Sequence, residues 1–263
     1  GHEGMGIVES CPSGRYEVGE RVLLYGFDRP LFQQYVLARD DGGCIRLPST
    51  GELDVMLMSQ LFGTVLHAFY KLDCIIGQDA VVMGQGPVGQ LFNAALRNLG
   101  ARRIIAVDPQ AHRLAIATQM GATHTLPQGD GLEAQVRSIC DGELPQLVVE
   151  AVGKEETFQL AASLLRRNGT LLYFGVPNKE EGRGVMSIDF LRMFVNETRI
   201  ITTVGPNPQV DYRPALQWIM EERIDVRPIL THTLPFAEIQ QAFTMAFEEP
   251  EAHGAVKVVL TFD

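Results

Sequence analysis

The sequence lacks the features that mark disulfide-bonded, membrane-spanning or nucleic-acid-binding proteins. Its four cysteines, at positions 11, 44, 74 and 140, form no Cys-x-x-Cys pair, so no disulfide framework or zinc knuckle is predicted and a reducing, cytoplasmic location is expected. No apolar run approaches the ~20 residues of a membrane-spanning helix. The net charge of −10 disfavours nucleic acid and anionic membranes as partners, because both reward basic patches.

What the sequence does contain is the composition of a globular protein. Apolar residues make up 46% of the 263 residues and charged residues 21%, which is the usual mixture for a packed core with a solvated surface. A chain of this length is near the upper limit for one hydrophobic core, so it forms one large or two smaller domains.

Six short apolar runs alternate with segments of helical periodicity between residues 64 and 206. Because the runs are continuous in Val, Ile and Leu rather than alternating with polar residues, both faces of the sheet are expected to be covered by helices. The pattern predicts a doubly wound α/β domain with a parallel sheet over about 64–206. The predicted strands are Asp79–Gly84, Arg103–Val107, His124–Leu126, Leu147–Val152, Thr170–Val176 and Arg199–Val204.

The two flanking regions have a different character. Residues 1–63 carry short runs such as Arg21–Tyr25 and Gln34–Ala38, which predict a small antiparallel β unit. Residues 207–263 begin as a linker, continue with two predicted helices, the second over Phe236–Phe247, and close with a predicted strand over Ala255–Phe262.

A glycine-rich turn follows the first strand of the α/β region. Gly84, Gly86 and Gly89 form G-x-G-x-x-G, with Pro87 and Val88 opening the next helix. In such a turn the first glycine permits the bend, the second lets the backbone approach a pyrophosphate, and the third lets helix and strand pack closely. The helix N-terminus then presents free N–H groups to the phosphates, and proline suits the first helical turn. The sequence therefore predicts a dinucleotide site, against the alternative of a glycine-rich turn without a nucleotide.

Asp108 ends the next strand, 19 residues after Gly89, where an acidic residue selects the cofactor. A carboxylate there accepts hydrogen bonds from the ribose hydroxyls of NAD and repels the 2′-phosphate of NADP. Arg113, five residues on, could counter a phosphate or lie beside the adenine. We predict NAD as cofactor.

Beyond this turn, the sequence resembles the medium-chain, zinc-type alcohol dehydrogenase family over its whole length, most closely the polyol and threonine dehydrogenases. The segments that carry the resemblance are GHEGMGIVE at 1–9, VGERVLLY at 18–25, QLFGTVLHA at 60–68, VVMGQGPVGQL at 81–91, VVEAVG at 148–153, FGVP at 174–177, THTLPFAEIQQAF at 231–243 and the closing VKVVLTF.

The resemblance implies a Rossmann domain inserted in a partial GroES-like β catalytic domain, split between 1–63 and 207–263. It implies further cofactor contacts from Val152, from Val176 and Val204 at the nicotinamide, and from Lys257 at the pyrophosphate. It also implies a homodimer or homotetramer, paired through the sheet edge near 170–176 or 200–204. The expected partner is a small alcohol or carbonyl substrate.

The resemblance further implies a catalytic zinc ion, which binds the substrate oxygen as a Lewis acid. His2 and Glu3 match the family's GHE segment, and both are assigned as catalytic residues and metal ligands. Gln60 stands at the third ligand position, where the family has Cys or Glu, and a neutral amide is a poorer zinc ligand than either. The family's remaining Cys would lie upstream of Gly1. The cofactors expected are thus NAD and zinc, with zinc binding weakened by Gln60.

Three functions remain open at this point. The first is an NAD-dependent, zinc-type dehydrogenase that transfers hydride between nicotinamide and a secondary alcohol, polyol or sugar-like substrate. The second is a shortened NAD(H)-binding protein without turnover. The third is a zinc-free quinone or enoyl reductase, which the GHE segment and Asp108 disfavour. Two other residues have structural interpretations: His67 lies on a helix face, and Glu150 ends a strand beside the cofactor.

Overall fold

The computed structural model describes residues 1–25, 30–38, 44–177 and 184–262. The chain divides into two compact units. The split unit comprises Gly1–His67 together with Gly205–Asp263, and the central unit comprises Ala68–Val204. Each unit is described by itself below.

The helices and strands are numbered in chain order. The strands are β1 Glu3–Ile7, β2 Arg21–Tyr25, β3 Cys44–Arg46, β4 Asp79–Met83, β5 Arg103–Asp108, β6 His124–Pro127, β7 Leu147–Glu150, β8 Thr170–Tyr173, β9 Arg199–Thr202, β10 Leu230–Pro235 and β11 Lys257–Thr261. The α-helices are α1 Leu53–Phe69, α2 Pro87–Asn98, α3 Ala111–Gln119, α4 Leu132–Ile139, α5 Glu155–Ser163, α6 Phe190–Val195, α7 Arg213–Met220, α8 Ile239–Phe243 and α9 Pro250–His253.

The central unit is built on a six-stranded parallel sheet in the order β6-β5-β4-β7-β8-β9. Every residue of β4 and β7 is buried, which is the double-sided coverage that their Val- and Leu-rich sequences require. The strand order reverses between β4 and β7, and ligands of open α/β sheets bind at such a switch point, beyond the carboxyl ends of the strands. The predicted doubly wound α/β fold is confirmed.

Of the two pairing edges that the sequence offered, only one is an edge strand of the sheet. β9 is the terminal strand beside β8. The alternative pairing edge, near Thr170–Val176, is wrong because β8 is hydrogen-bonded to β7 on one side and to β9 on the other. A strand with both ladders filled has no backbone groups left for a partner.

The split unit contains an antiparallel sheet in the order β1-β2-β3 and a parallel pair formed by β10 and β11. Gln34–Ala38, expected as a strand, is irregular, and its Tyr35 and Leu37 side chains are exposed. β10 was not predicted. The linker expected after Gly205 instead leads into a π-helix at Pro208–Tyr212 that runs directly into α7.

Within the described ranges, no helix is both long and apolar enough to cross a membrane. The four cysteines are all free thiols. Burial raises the pKa of Cys140 to about 11, so this thiol stays protonated and unreactive at neutral pH.

Candidate functional site

The glycine-rich turn lies at the carboxyl end of β4, beside the switch point. Gly84 has φ +88°, a left-handed conformation that glycine adopts without strain. Gly86 is the N-cap of α2, and Pro87 occupies its first turn. No side chain caps this helix, so its first N–H groups remain available to an anionic ligand.

The three glycines of the turn serve two different purposes. A Cβ on Gly89 would overlap the carbonyl oxygen of Gly84, and a Cβ on Gly84 would press against the Val152 side chain. A Cβ on Gly86 would meet no described atom within 4 Å. Gly84 and Gly89 are therefore required for packing. Gly86 faces open space, where a ligand can approach the backbone.

A buried amide network supports the turn from below, and the sequence analysis missed it. Asn93 donates to Gln85 Oε1 at 2.7 Å, and Gln85 Nε2 donates to the Val82 carbonyl at 2.9 Å. Gln90 Nε2 donates to the carbonyl of Gln85 at 3.2 Å and to that of Arg113 at 2.8 Å. All three amides are buried. The signal in the sequence is three polar residues on a helix and turn that are otherwise apolar.

Asp108 is a buried carboxylate at the carboxyl end of β5. One oxygen accepts the N–H of Gln85 at 2.7 Å, and the other accepts the N–H of Gln110 at 2.8 Å. Arg113 Nη1 lies 3.9 Å from Asp108 Oδ2. Because a carboxylate has about four acceptor positions, Asp108 can be held by two N–H groups and still accept a ribose hydroxyl.

The remaining valines with a predicted cofactor role follow the carboxyl ends of β7, β8 and β9. Val152 lies against Gly84, whereas Val176 and Val204 are exposed, at 72% and 85%. All three lie at the carboxyl-terminal end of the sheet, where the glycine-rich turn also lies.

Glu150, at the end of β7, stabilises the loop at this end of the sheet. Its carboxylate is fully buried and accepts the N–H groups of Val152 and Gly153 and the hydroxyl of Thr157, the last at 2.6 Å. Burial, followed by the charge of Glu150, raises the pKa of the nearby Tyr173 hydroxyl. Glu150 thus acts as an internal acceptor for the loop after β7.

The residues of the central unit fit a dinucleotide. The uncapped helix N-terminus, the open space at Gly86 and the braced carboxylate of Asp108 supply the donors, the room and the acceptor that pyrophosphate and ribose require.

The predicted zinc ligands lie in the split unit. The Glu3 carboxylate forms an ion pair with the ammonium group of Lys257, the residue predicted to contact the pyrophosphate. Gln60, on α1, is 3% exposed, and its Nε2 donates to the main-chain carbonyl of His2 at 2.7 Å. Gln60 Oε1 has no hydrogen-bond partner among the described residues. The structure therefore gathers His2, Glu3, Gln60 and Lys257, which are together called the Gln60 cluster below.

The Gln60 cluster does not fit zinc. Zinc sites use thiolate, imidazole and carboxylate ligands, and the described part of the chain has no group of three or more His, Cys, Asp or Glu side chains placed to hold a metal ion. Here the carboxylate is already paired with an ammonium, and the third position is a neutral amide.

A second polar pair in the split unit was also missed. His67 Nδ1 lies 3.0 Å from Asp211 Oδ2, and this buried carboxylate also accepts the N–H of Asn207. His67 was expected only as a helix-face residue, because Asp211 is remote in the sequence. The neighbouring Tyr212 packs on Gly63, and burial, followed by the charges of Glu3 and Asp211, raises its pKa to about 12. Tyr212 is therefore a neutral phenol at neutral pH.

The chain is similar in sequence to a reductase and a dehydrogenase. The chain is 29% identical over 243 residues to a probable D-xylulose reductase A of Emericella nidulans, covering 89% of this chain and 66% of the relative. It is 24% identical over 265 residues to an L-threonine 3-dehydrogenase of Pectobacterium carotovorum, covering 100% and 74%. The chain thus spans slightly less than two thirds of the first relative and about three quarters of the second.

Comparison of structures gives the same fold. The alcohol dehydrogenase TADH from Thermus sp. ATN1 superposes with a TM-score of 0.85 at 22% identity, covering 100% of this chain and 84% of that one. A family model described as zinc-binding dehydrogenase matches residues 87–221, just over half of the chain. The predicted family and the predicted dehydrogenase class are confirmed. The chain belongs to the family of zinc-binding dehydrogenases.

Proposed function

We propose that this protein is a cytoplasmic, NAD-dependent dehydrogenase that transfers hydride between nicotinamide and a secondary alcohol, polyol or sugar-like substrate. The observation that carries the proposal is the dinucleotide edge of the central unit. There, the uncapped N-terminus of α2 and the buried Asp108 carboxylate are tied together by the N–H of Gln85.

The substrate class is supported by the names of the two relatives. D-Xylulose reductase and L-threonine 3-dehydrogenase both interconvert a ketone and a secondary alcohol. The substrate of this chain is proposed from that shared chemistry only.

The chain's residues bind and orient the dinucleotide. The pyrophosphate would lie at the N–H groups of the first turn of α2, close to Gly86. Asp108 would accept the ribose hydroxyls, and its negative charge would repel a 2′-phosphate. Val176 and Val204 would offer backbone groups to the nicotinamide carboxamide. Lys257 is proposed to reach the pyrophosphate with the donor capacity that Glu3 leaves free, since an ammonium has three N–H groups.

When bound, NAD supplies a ring carbon that accepts the hydride from the alcohol carbon. The exposed side chains of Val176 and Val204, if they lie at that ring as proposed, would help to exclude water from the transfer. Oxidation of an alcohol also releases the hydroxyl proton, which the chain must pass to solvent.

The cofactor assignment predicts the behaviour of Asp108→Ser. Removal of the carboxylate abolishes the repulsion of a 2′-phosphate, which is worth several kcal/mol. The ratio of the NADPH to the NADH dissociation constant is expected to fall by about 100-fold. Fluorescence titration with both reduced cofactors measures this ratio.

Asp130→Ser is the matched control, because Asp130 is an exposed aspartate of the same unit. It is expected to leave both dissociation constants unchanged. A wild-type protein that binds NADPH more tightly than NADH would show that the assignment of Asp108 is wrong.

The activity itself is tested with NAD and a panel of secondary alcohols, polyols and 3-hydroxy amino acids, followed by NADH absorbance. Turnover of at least one class is expected. NADH binding without turnover of any compound would favour the NAD(H)-binding protein, and reduction of a quinone or an enoyl compound with NADPH would favour the reductase.

We also propose that the protein is a homo-oligomer paired through β9. This edge strand carries Ile200, and the α6 region beside it in the chain exposes a group of large apolar side chains. These are Val185, Phe190, Leu191, Phe194 and Val195. An exposed apolar edge of this kind is a surface that soluble proteins cover.

The oligomer proposal predicts that Ile200→Glu dissociates the assembly. A twofold interface would bring two like charges together in an apolar contact, so dimer affinity is expected to fall on the order of 100-fold. Light scattering coupled to size exclusion measures the mass. Ile76→Glu, at an isoleucine that is 75% exposed, is the control and should retain the wild-type mass. A monomeric wild-type protein would refute the proposal.

A further inference from the structure

The Gln60 cluster has a fixed hydrogen-bond arrangement. The carbonyl of His2 can only accept, so the amide nitrogen of Gln60 must face it, at 2.7 Å. Gln60 Oε1 therefore points away from His2, and its orientation is set by a bond that a metal ion does not require. The amide is 3% exposed, so it has little freedom to turn.

The charge of the cluster is already balanced. Glu3 and Lys257 form an ion pair, with side chains 20% and 18% exposed. A dication placed beside Glu3 would meet the ammonium of Lys257 at close range, in surroundings where charges are only partly screened.

The available donors cannot offset that repulsion. An imidazole and an amide are both neutral, whereas zinc sites in proteins rely on thiolates, carboxylates or three imidazoles. An additional ligand contributed from outside these 263 residues would still share the ion with the neutral amide of Gln60 and with a carboxylate that Lys257 holds.

We infer that the Gln60 cluster holds no zinc and that Lys257 is its resident cation, although the chain belongs to a zinc-binding family. The inference concerns the substrate-binding part of the dehydrogenase proposed above. The absence of zinc does not depend on that function, but its consequence for the reaction rests on it. The consequence is a dehydrogenase scaffold in which the carboxylate of Glu3 is neutralised by an ammonium group rather than by a metal ion.

The test measures zinc directly on the purified full-length protein. The protein is equilibrated with one equivalent of ZnCl₂, dialysed, and analysed for metal, and its melting temperature is recorded with and without a chelator. The wild type is expected to retain less than ~0.1 zinc per chain and to melt at the same temperature in both conditions, because a structural or catalytic zinc would contribute to stability. Retention of about one zinc per chain, lost with a drop in melting temperature on chelation, would overturn the inference.

The double variant Gln60→Glu/Lys257→Gln tests the stated cause. It adds a carboxylate at residue 60 and frees the carboxylate of Glu3, so retention is expected to rise about tenfold, to roughly one zinc per chain. The matched control, Gln119→Glu/Lys154→Gln, makes the same exchanges at exposed positions of the central unit and should retain no zinc. A double variant that remains zinc-free would show that Gln60 and Lys257 are not the cause and would overturn that assignment.

NADH titration of the wild-type samples, in which Lys257 is intact, separates this inference from the proposed function. Failure to bind NADH would refute the dehydrogenase and leave the zinc result standing. Zinc retention with normal NADH binding would refute only the inference.

Discussion

Gly89→Ala is expected to abolish measurable NADH binding and to destabilise the central unit. The added Cβ would overlap the carbonyl oxygen of Gly84, so α2 must move away from β4. Overpacking of this kind costs about 1–3 kcal/mol of unfolding free energy. The N–H groups of α2 would move with the helix, and the dissociation constant for NADH is expected to rise by about 100-fold or more. Urea unfolding and fluorescence titration measure the two effects.

Two other glycines separate packing from ligand approach. Gly86→Ala places its Cβ in open space, so it should weaken NADH binding while leaving the unfolding free energy within about 0.5 kcal/mol of wild type. Gly129→Ala also meets no described atom within 4 Å, and it should change neither quantity. Normal NADH binding by Gly89→Ala would show that the helix N-terminus is not the phosphate site.

Glu150→Ala is expected to be the most destabilising single substitution considered. It removes the fully buried acceptor of the N–H groups of Val152 and Gly153, whereas the Thr157 hydroxyl can still donate to the Lys154 carbonyl at 2.9 Å. Each unsatisfied buried group costs about 1–3 kcal/mol, so the total loss of unfolding free energy is expected to be about 3–5 kcal/mol. Thermal and urea unfolding of the full chain give the value.

Thr157→Val removes only the hydroxyl, which has Glu150 and the Lys154 carbonyl as acceptors, and should lose about 1 kcal/mol. Glu156→Ala, at an exposed neighbour on α5, should be close to neutral. A loss below about 1 kcal/mol for Glu150→Ala would mean that the loop after β7 satisfies its N–H groups in another way. NADH binding should also weaken in Glu150→Ala, because Val152 lies against Gly84.

Local sequence information was sufficient to predict the central unit. Strands β4, β5 and β7 are short apolar runs, and each is followed within a few residues by a helix of visible periodicity. The position of the dinucleotide turn followed from the same local pattern, since Gly84–Gly89 adjoins β4 and α2 directly.

The polar pairs of the split unit that escaped prediction depend on residues far apart in the chain. Glu3 pairs with Lys257, and His67 pairs with Asp211, and no periodicity links such positions. The segment Gln34–Ala38 failed for a related reason. Its alternation is typical of a strand, but a strand forms only where a neighbour supplies hydrogen bonds, and β2 pairs with Cys44–Arg46 instead.

The reversal of strand order in the central sheet has a consequence for how the unit folds. Asp79 pairs with Arg103 and Leu147 pairs with Thr170, but the pairing that joins the two halves matches Ala80 with Leu147, across a much longer loop. Each three-strand half can therefore assemble from nearby contacts, and the seam between β4 and β7 carries the larger loop-closure entropy. The glycine-rich turn follows β4 and Glu150 ends β7, so the proposed cofactor site includes residues from both halves of the sheet. A dinucleotide bound there at 100 times its dissociation constant would stabilise the joined halves by about 2.7 kcal/mol, which makes the cofactor part of the folding equilibrium as well as of the reaction.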